Sequence, residues 1–304
     1  AGHGGQVLLS STTAQLVGDR LPAEAALRDL GLFRLKDFDE GERLLRLQHP
    51  GLAADGPAPR AAPVEAHNLP VLRTRFVGRD VERVEVAKLC HEHRVVTIVG
   101  PGGAGKTRLS LEAARTLIAE HPDGVWAVLL AGEAAGADIV PTVARALGVA
   151  DLPDTSLLDA VVQGMTGRQA LVILDNCEHV LASAAQVADA LAAVPEVTVL
   201  ATSRQALGVA DEQVWSMPGL GVPGEDETTW VQVREAEAAE LFAERAAAVN
   251  PRFQATDANA AAIAAICRVV EGMPLAVELA AAASRGVPLE ALAARLTESN
   301  DLLR

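Results

Sequence analysis

Val95-Val-Thr-Ile-Val-Gly100-Pro-Gly-Gly-Ala-Gly-Lys106-Thr107 runs from a β-branched apolar stretch into a glycine-rich turn and on into an amphipathic helical pattern. Gly100 to Thr107 fits G-x-x-x-x-G-K-[ST] at every fixed position. Glycines let backbone N–H groups turn inward around phosphate oxygens, and the helix that follows adds the positive end of its dipole. Lys106 supplies a mobile ammonium for β- and γ-phosphates, and the Thr107 hydroxyl is a candidate Mg²⁺ ligand. The spacing predicts a strand–loop–helix unit that holds a nucleotide's phosphates with Gly100, Pro101, Gly102, Gly103, Ala104, Gly105, Lys106, Thr107 and Arg108. The competing reading is a glycine-rich turn that binds nothing.

Outward from this loop the pattern alternates. Short β-branched runs stand at Val95–Val99, Val125–Leu130, Leu171–Leu174, Val197–Ala201 and Gln213–Ser216. Helical patterns separate most of them, at Lys106–Ala119, Ile139–Leu147, Ser156–Met165 and Leu181–Val194. Near-continuous apolar strands alternating with helices predict a parallel sheet covered on both faces, a three-layer α/β/α fold. From Arg234 the strands disappear, and helices are expected at Arg234–Val249, Ala258–Val270, Pro274–Ala283 and Leu289–Leu296. The organisation is therefore α/β followed by an all-α domain, with boundaries expected at 71–233 and 234–304. Residues 53–70, rich in Ala, Pro and Gly without either period, read as a linker. Residues 1–52 form a short αβ segment, with apolar runs at Val7–Leu9 and Leu44–Leu47 and a helical stretch at Ser11–Leu16. So short a segment buries little core alone.

Two further strands end in chemistry. Leu171-Val-Ile-Leu-Asp175 is an apolar strand whose terminal carboxylate falls at the carboxyl edge of the sheet, where Asp175 can hold Mg²⁺ through water. Val197-Thr-Val-Leu-Ala201 continues into Thr202-Ser203-Arg204. Arg204 would face the same crevice and sense or neutralise a γ-phosphate, or else it closes a turn at the surface.

Charge sharpens the assignment. Residues 1–60 carry 7 basic and 8 acidic side chains (net −1), residues 61–110 carry 8 and 5 (net +3), and residues 111–304 carry 11 and 27 (net −16). The one locally basic stretch contains the phosphate loop, as a polyanion would favour; the competing reading is that so small an excess is ordinary surface scatter. The overall −14 and the acidic second half exclude bulk attraction to nucleic acid and offer no basic recognition helix. Only Lys36, Lys88 and Lys106 are lysines among 26 Lys and Arg residues, which makes the loop lysine conspicuous. Three scattered cysteines argue for a reducing, cytoplasmic setting without a disulfide framework, and no apolar run is long enough to span a membrane. The start at Ala1 suggests processing or excision from a longer chain.

From about residue 70 onward the chain resembles the signal-transduction NTPases of the STAND class, the NB-ARC-like modules of bacterial LuxR-type and AfsR/SARP-type regulators and of AP-ATPases. Phe76-Val-Gly-Arg-Asp80 resembles the hhGR[ED] element. GPGGAGKT, LVILDNCEH and ATSR resemble Walker A, Walker B and sensor 1, and Gly272-Met-Pro-Leu275 resembles the GxP motif. The resemblance implies a P-loop NTPase domain and an NB-ARC-type helical domain. It implies adenine packed by Val77, Gly78, Arg79 and Pro274, and ATP, ADP and Mg²⁺ as ligands. It further implies an ADP-closed, ATP-open cycle with slow hydrolysis, and self-association in the ATP state. A full-length relative would continue past Leu303-Arg304 into winged-helix and sensor domains, so ADP is expected to exchange faster from this chain. The alternative is a P-loop ATPase or kinase that turns over a substrate of its own.

One departure stands out. Many relatives place a second acid directly after the Walker B Asp, whereas this chain has Asn176 there and Glu178 two residues further on. Asparagine cannot act as a general base, so efficient hydrolysis would rest on Glu178, unless Glu178 is only a helix-start carboxylate. GGQVLLSSTTAQL, LRDLGLFRLKDF and ERLLRLQHPGL resemble the C-terminal end of a class III adenylate/guanylate cyclase domain; the cyclase family's metal-binding aspartates lie upstream of this region, so no cyclase activity is implied. His91-Glu-His93 offers too few ligands for a metal, and Gly224–Thr228 reads as a solvated acidic loop. Trp126, Trp215 and Trp230 lack interleaved basic residues and read as packing.

Overall fold

The computed structural model describes residues 2–3, 5–17, 20–22, 24–35, 41–52, 59–63, 67–149 and 155–301. Lys36, much of the 53–70 stretch and Leu303-Arg304 lie outside the described residues. At the N-terminus, β1 (Leu8–Ser10), α1 (Ser11–Val17), β2 (Ala26–Arg34), β3 (Glu42–Gln48) and β4 (Ala62–Pro63) build an antiparallel sheet in the order β1-β3-β2-β4. Strand β2 was not signalled by periodicity. Its register with β3 shifts between Asp29 and Leu32, around Gly31 at φ 91°, and such a bulge breaks the two-residue alternation that marks a strand. Arg43 of β3 pairs with Asp29 at 2.6 Å and with Asp123 of the following domain, so the segment docks on the rest of the chain.

The central domain holds α2 (Asp80–Glu92), β5 (Val95–Val99), α3 (Lys106–Thr116), β6 (Val125–Leu129), α4 (Val140–Leu147), α5 (Leu157–Met165), β7 (Ala170–Asp175), α6 (Leu181–Ala192), β8 (Val197–Ser203) and β9 (Glu212–Ser216). The five strands are parallel in the order β6-β7-β8-β5-β9. Every residue of β7 and β8 is buried, because both faces are covered. Leu171 and Ile173 join one core with Val86 of α2 and Leu109 of α3, while Val172 and Leu174 join the other with Val143, Val161 and Val187 of α4, α5 and α6. This is the three-layer arrangement expected from the alternation.

Helix α2 escaped the periodicity reading because its buried stripe is only Val86 and Cys90 amid charges. The helix expected from Ser156 starts one residue later, with the Ser156 hydroxyl capping the Asp159 N–H at 3.1 Å. The end of the 53–70 stretch is anchored: His67 bridges Val125, and the Asn68 amide donates to Ala127 O at 2.9 Å and accepts from Ala127 N at 2.6 Å.

The tail comprises α7 (Trp230–Val233), α8 (Glu237–Val249), α9 (Asp257–Val269), α10 (Pro274–Ala283) and α11 (Leu289–Asp301) around its own core of Phe242, Ile263, Ile266, Cys267 and Val277. The single helix expected over Arg234–Val249 is therefore corrected to α8 from Glu237, preceded by α7 behind a Thr229–Gln232 capping box. Helix α11 also runs beyond Leu296.

Candidate functional site

Strand β5 delivers the phosphate loop to the carboxyl edge of the sheet. Gly103 and Gly105 take φ of 79° and 93°, which favours glycine at both positions. The first-turn N–H groups of α3 have no partner within the helix, as at any helix start. The Lys106 ammonium is folded back, donating to the carbonyls of Gly100 at 2.8 Å and Pro101 at 3.0 Å. Burial pulls its pKa below the ordinary lysine value; Glu178 and Asp175 oppose that shift and Arg204 adds to it. Ligand phosphates would therefore compete with two neutral carbonyls for a cation, an exchange that favours the anion.

Because β8 lies between β5 and β7, the end of β8 borders both the loop and Asp175. Asp175 is buried, and its Oδ1 accepts the Thr202 hydroxyl at 2.7 Å. That hydroxyl in turn accepts the Asn176 N–H at 2.9 Å. Asn176 sits at φ 69°, and this left-handed kink brings Glu178 round to face the loop. Arg204 Nε donates to Glu178 Oε1 at 3.1 Å, and its guanidinium lies over Gly102. Glu178 Oε2 is buried with no hydrogen-bond partner.

A cleft of about 640 Å³ joins these parts. Val77, Arg79, the loop from Gly102 to Arg108, Glu178, Arg204 and Pro274 line it. Gly78, Gly100, Pro101 and Asp175 do not form its wall. A side chain at Gly78 would strike Glu237, and Gly100 backs onto Met217. Arg108 is held by Glu112 at 3.1 Å and by the Thr74 hydroxyl at 3.0 Å, with Phe76 beneath its guanidinium at 5.6 Å, so phosphate contact from this side chain requires breaking those bonds.

The far wall comes from the helical tail. Leu241 and Arg245 are one turn apart on α8, as are Pro274 and Glu278 on α10, so each helix turns one face to the cleft. Leu275 N donates to Gly103 O at 3.1 Å, joining α10 directly to the phosphate loop. Arg79 is only 2% exposed, which shows its side chain to be a joint: it donates to Pro218 O at 2.7 Å and Glu82 at 3.1 Å, while its N–H donates to Glu237 at 2.6 Å. Sequence reasoning missed Thr202, Leu241, Arg245 and Glu278. Thr202 was findable as the residue in register beside Asp175; the faces of α8 and α10 that meet the cleft have no local signature.

The donor set suits a hard cation. Thr107 is exposed on the cleft wall with a hydroxyl oxygen, and nothing among the described residues bonds Asp175 Oδ2. No cluster of three or more His, Cys, Asp or Glu suited to a metal occurs among the described residues, and His91 pairs instead with Glu120 at 2.5 Å. Cys90, Cys177 and Cys267 are buried free thiols, each pushed up to about 12, burial being the main cause. No helix among the described residues is long and apolar enough to cross a membrane.

A parallel sheet with a phosphate loop after β5, an acid at the end of β7 and a helical wall opposite defines a P-loop NTPase module. Residues 89–209 match the family model described as AAA domain. A provisionally named HTH-type transcriptional regulator of Mycobacterium tuberculosis (strain H37Rv) is 42% identical over 204 residues, which is 66% of this chain and 22% of that protein. The regulatory protein AfsR of Streptomyces griseus is 31% identical over 261 residues, 81% of this chain and 25% of that protein. The chain thus spans about a quarter of these relatives. Among solved structures, a STAND protein with a tetratricopeptide repeat sensor from Pyrococcus horikoshii is similar over 78% of this chain and 34% of that one, at 18% identity and a TM-score of 0.46.

Proposed function

We propose that this chain is an ATP- and ADP-binding switch module, with slow ATP hydrolysis, of a bacterial signal-transduction or transcriptional regulator. One observation carries the reading. The phosphate loop, Glu178 and Arg204 of the sheet domain share a single cleft with Pro274 and Leu241 of the helical tail. A nucleotide held there touches both bodies, so a change at its γ-phosphate can alter how they pack. Val77, Leu220, Leu241 and Pro274 give the base an apolar seat, and Lys106 with the loop amides holds the phosphates. Bound Mg²⁺ would supply charge neutralisation between the phosphates, held by Thr107 and by Asp175 through water.

The regulators to which the chain is similar support the wider role. On this reading residues 71–233 and 234–304 are the moving parts, the ATP state can self-associate, and winged-helix and sensor domains belong to the complete regulator. The N-terminal αβ segment is read as the end of a cyclase-like domain kept for packing, without cyclase chemistry. Isothermal titration of the purified chain with ADP and Mg²⁺–ATP tests the core of the proposal. Binding is expected, and Lys106→Ala should weaken it by about 10- to 100-fold, the value of a charge-assisted hydrogen bond. Equal titration curves for the two proteins, or none for wild type, would refute it.

A further inference from the structure

The switch reading leaves two residues of the Leu171–His179 motif unused, Asn176 and His179. We propose that Asn176 orients the attacking water in ATP hydrolysis, and that His179 is the positioning residue that sets which end of the Asn176 amide faces that water. The inference rests on the reading that the cleft binds ATP.

The bonding chain has a fixed direction. His179 Nε2 lies 3.0 Å from Leu130 O, and a carbonyl only accepts, so Nε2 carries a proton. In the neutral ring Nδ1 is then an acceptor. It lies 3.2 Å from Asn176 Nδ2, which therefore donates to it. This leaves Oδ1 as the other end of the amide, and nothing among the described residues bonds it. Asn176 forms part of the cleft wall together with Glu178. Both anchors are themselves held: the Asn176 N–H is bonded to Thr202, and the His179 carbonyl accepts from Gly136 N at 2.8 Å. An acceptor that cannot rotate is what orientation of a small, freely tumbling nucleophile needs.

Glu178 and Asn176 then divide between them the work of one acidic residue. The carboxylate of Glu178, whose Oε2 has no partner, can take a proton. Asn176 Oδ1 can hold the water's second hydrogen without removing it. In the step, the water oxygen bonds to the γ-phosphorus while the bond from that phosphorus to the β–γ bridging oxygen breaks. The bond's electron pair leaves on ADP, one water proton passes to Glu178, and the other stays with the product phosphate. Glu178 Oε1 is tied to Arg204 and Oε2 is buried, so the side chain must turn toward the cleft, releasing Arg204, before the carboxylate takes the proton.

Single-turnover hydrolysis and Mg²⁺–ATP affinity, measured on the full chain, separate this from a merely structural role. Asn176→Gly deletes the amide and keeps a residue that tolerates φ 69°. It should slow hydrolysis by about 10- to 100-fold, with affinity changed less than about 2-fold. His179→Leu should do the same. His179→Gln, which can still donate to Leu130 O and accept from Asn176, should recover the rate to within about 3-fold. The double variant Asn176→Gly/His179→Leu should be no slower than either single one, because the pair acts as a unit. Multiplying losses, a glutamine variant as slow as the leucine one, or a wild type that binds ATP yet hydrolyses no faster than the variants would each overturn the inference and leave the binding reading intact. If wild type binds no nucleotide, the binding reading itself fails and the inference goes with it.

Discussion

Gly103 is where the helical tail meets the phosphate loop, and replacing it with alanine strains the loop backbone and crowds that contact. Its φ of 79° is strained for any residue with a Cβ, at about 1–2 kcal/mol. The added Cβ would also stand 2.7 Å from Leu275 Cβ and 2.9 Å from its Cδ2, an overpacking of about 1–3 kcal/mol. Gly103→Ala should therefore cost about 2–5 kcal/mol in urea denaturation followed by circular dichroism. Gly208 is the matched control, with φ 78° and nothing within 4 Å of an added Cβ, so Gly208→Ala should show the strain term alone, about 1–2 kcal/mol. Leu275→Gly removes the opposing side chain while leaving the backbone bond from Leu275 N to Gly103 O. In a double-mutant cycle it should recover the overpacking part of the Gly103→Ala loss, about 1–3 kcal/mol of coupling. Equal costs for the two alanine variants, or additive behaviour in the cycle, would refute the close packing of α10 on the loop.

Thr202→Val leaves the Asn176 N–H and Asp175 Oδ1 without their shared hydroxyl, and should lower stability by about 1–3 kcal/mol, whereas Thr202→Ser should stay within about 1 kcal/mol; urea midpoints decide. Glu237→Ala strips the acceptor from the buried Arg79 N–H and should cost about 1.5–3 kcal/mol with faster proteolysis at the seam, while Glu237→Gln should retain most of the protection. The three thiols should resist a disulfide reagent at pH 8 until the protein is unfolded, since each is buried and stays protonated. Folded thiols keep their protons to about 12 and unfolded ones lose theirs near the ordinary thiol value of 9.0, so unfolding releases protons in that window. Their contribution to stability is complete below pH 9 and should fall as pH rises through it; replacing Cys90 by Ala should flatten that fall.

The parallel sheet was legible because its strands are apolar on both faces and its helices are not, a contrast that survives without knowledge of any contact. The phosphate loop was legible for a related reason: Gly100 to Thr107 consists of glycine-rich backbone and one lysine, all within eight consecutive residues. Strand β2 was hidden by its bulge, and α2 by a buried stripe of two residues. Asn176 read as a defect in the sequence, since an amide stands where an acid was expected; its left-handed turn brings Glu178 to the cleft instead.

By itself, then, the sequence determined the layer architecture, the phosphate loop and the strand ends that carry Asp175 and Arg204, because each depends on local spacing and backbone geometry. Tertiary structure alone decided that β8 separates β5 from β7, so that Thr202 rather than open solvent meets Asp175. It also decided which faces of α8 and α10 close the cleft, and that Arg79 is buried as a joint between the two bodies. Those are contacts between residues distant in sequence, such as Arg79 and Glu237, 158 positions apart, and local spacing holds no record of them.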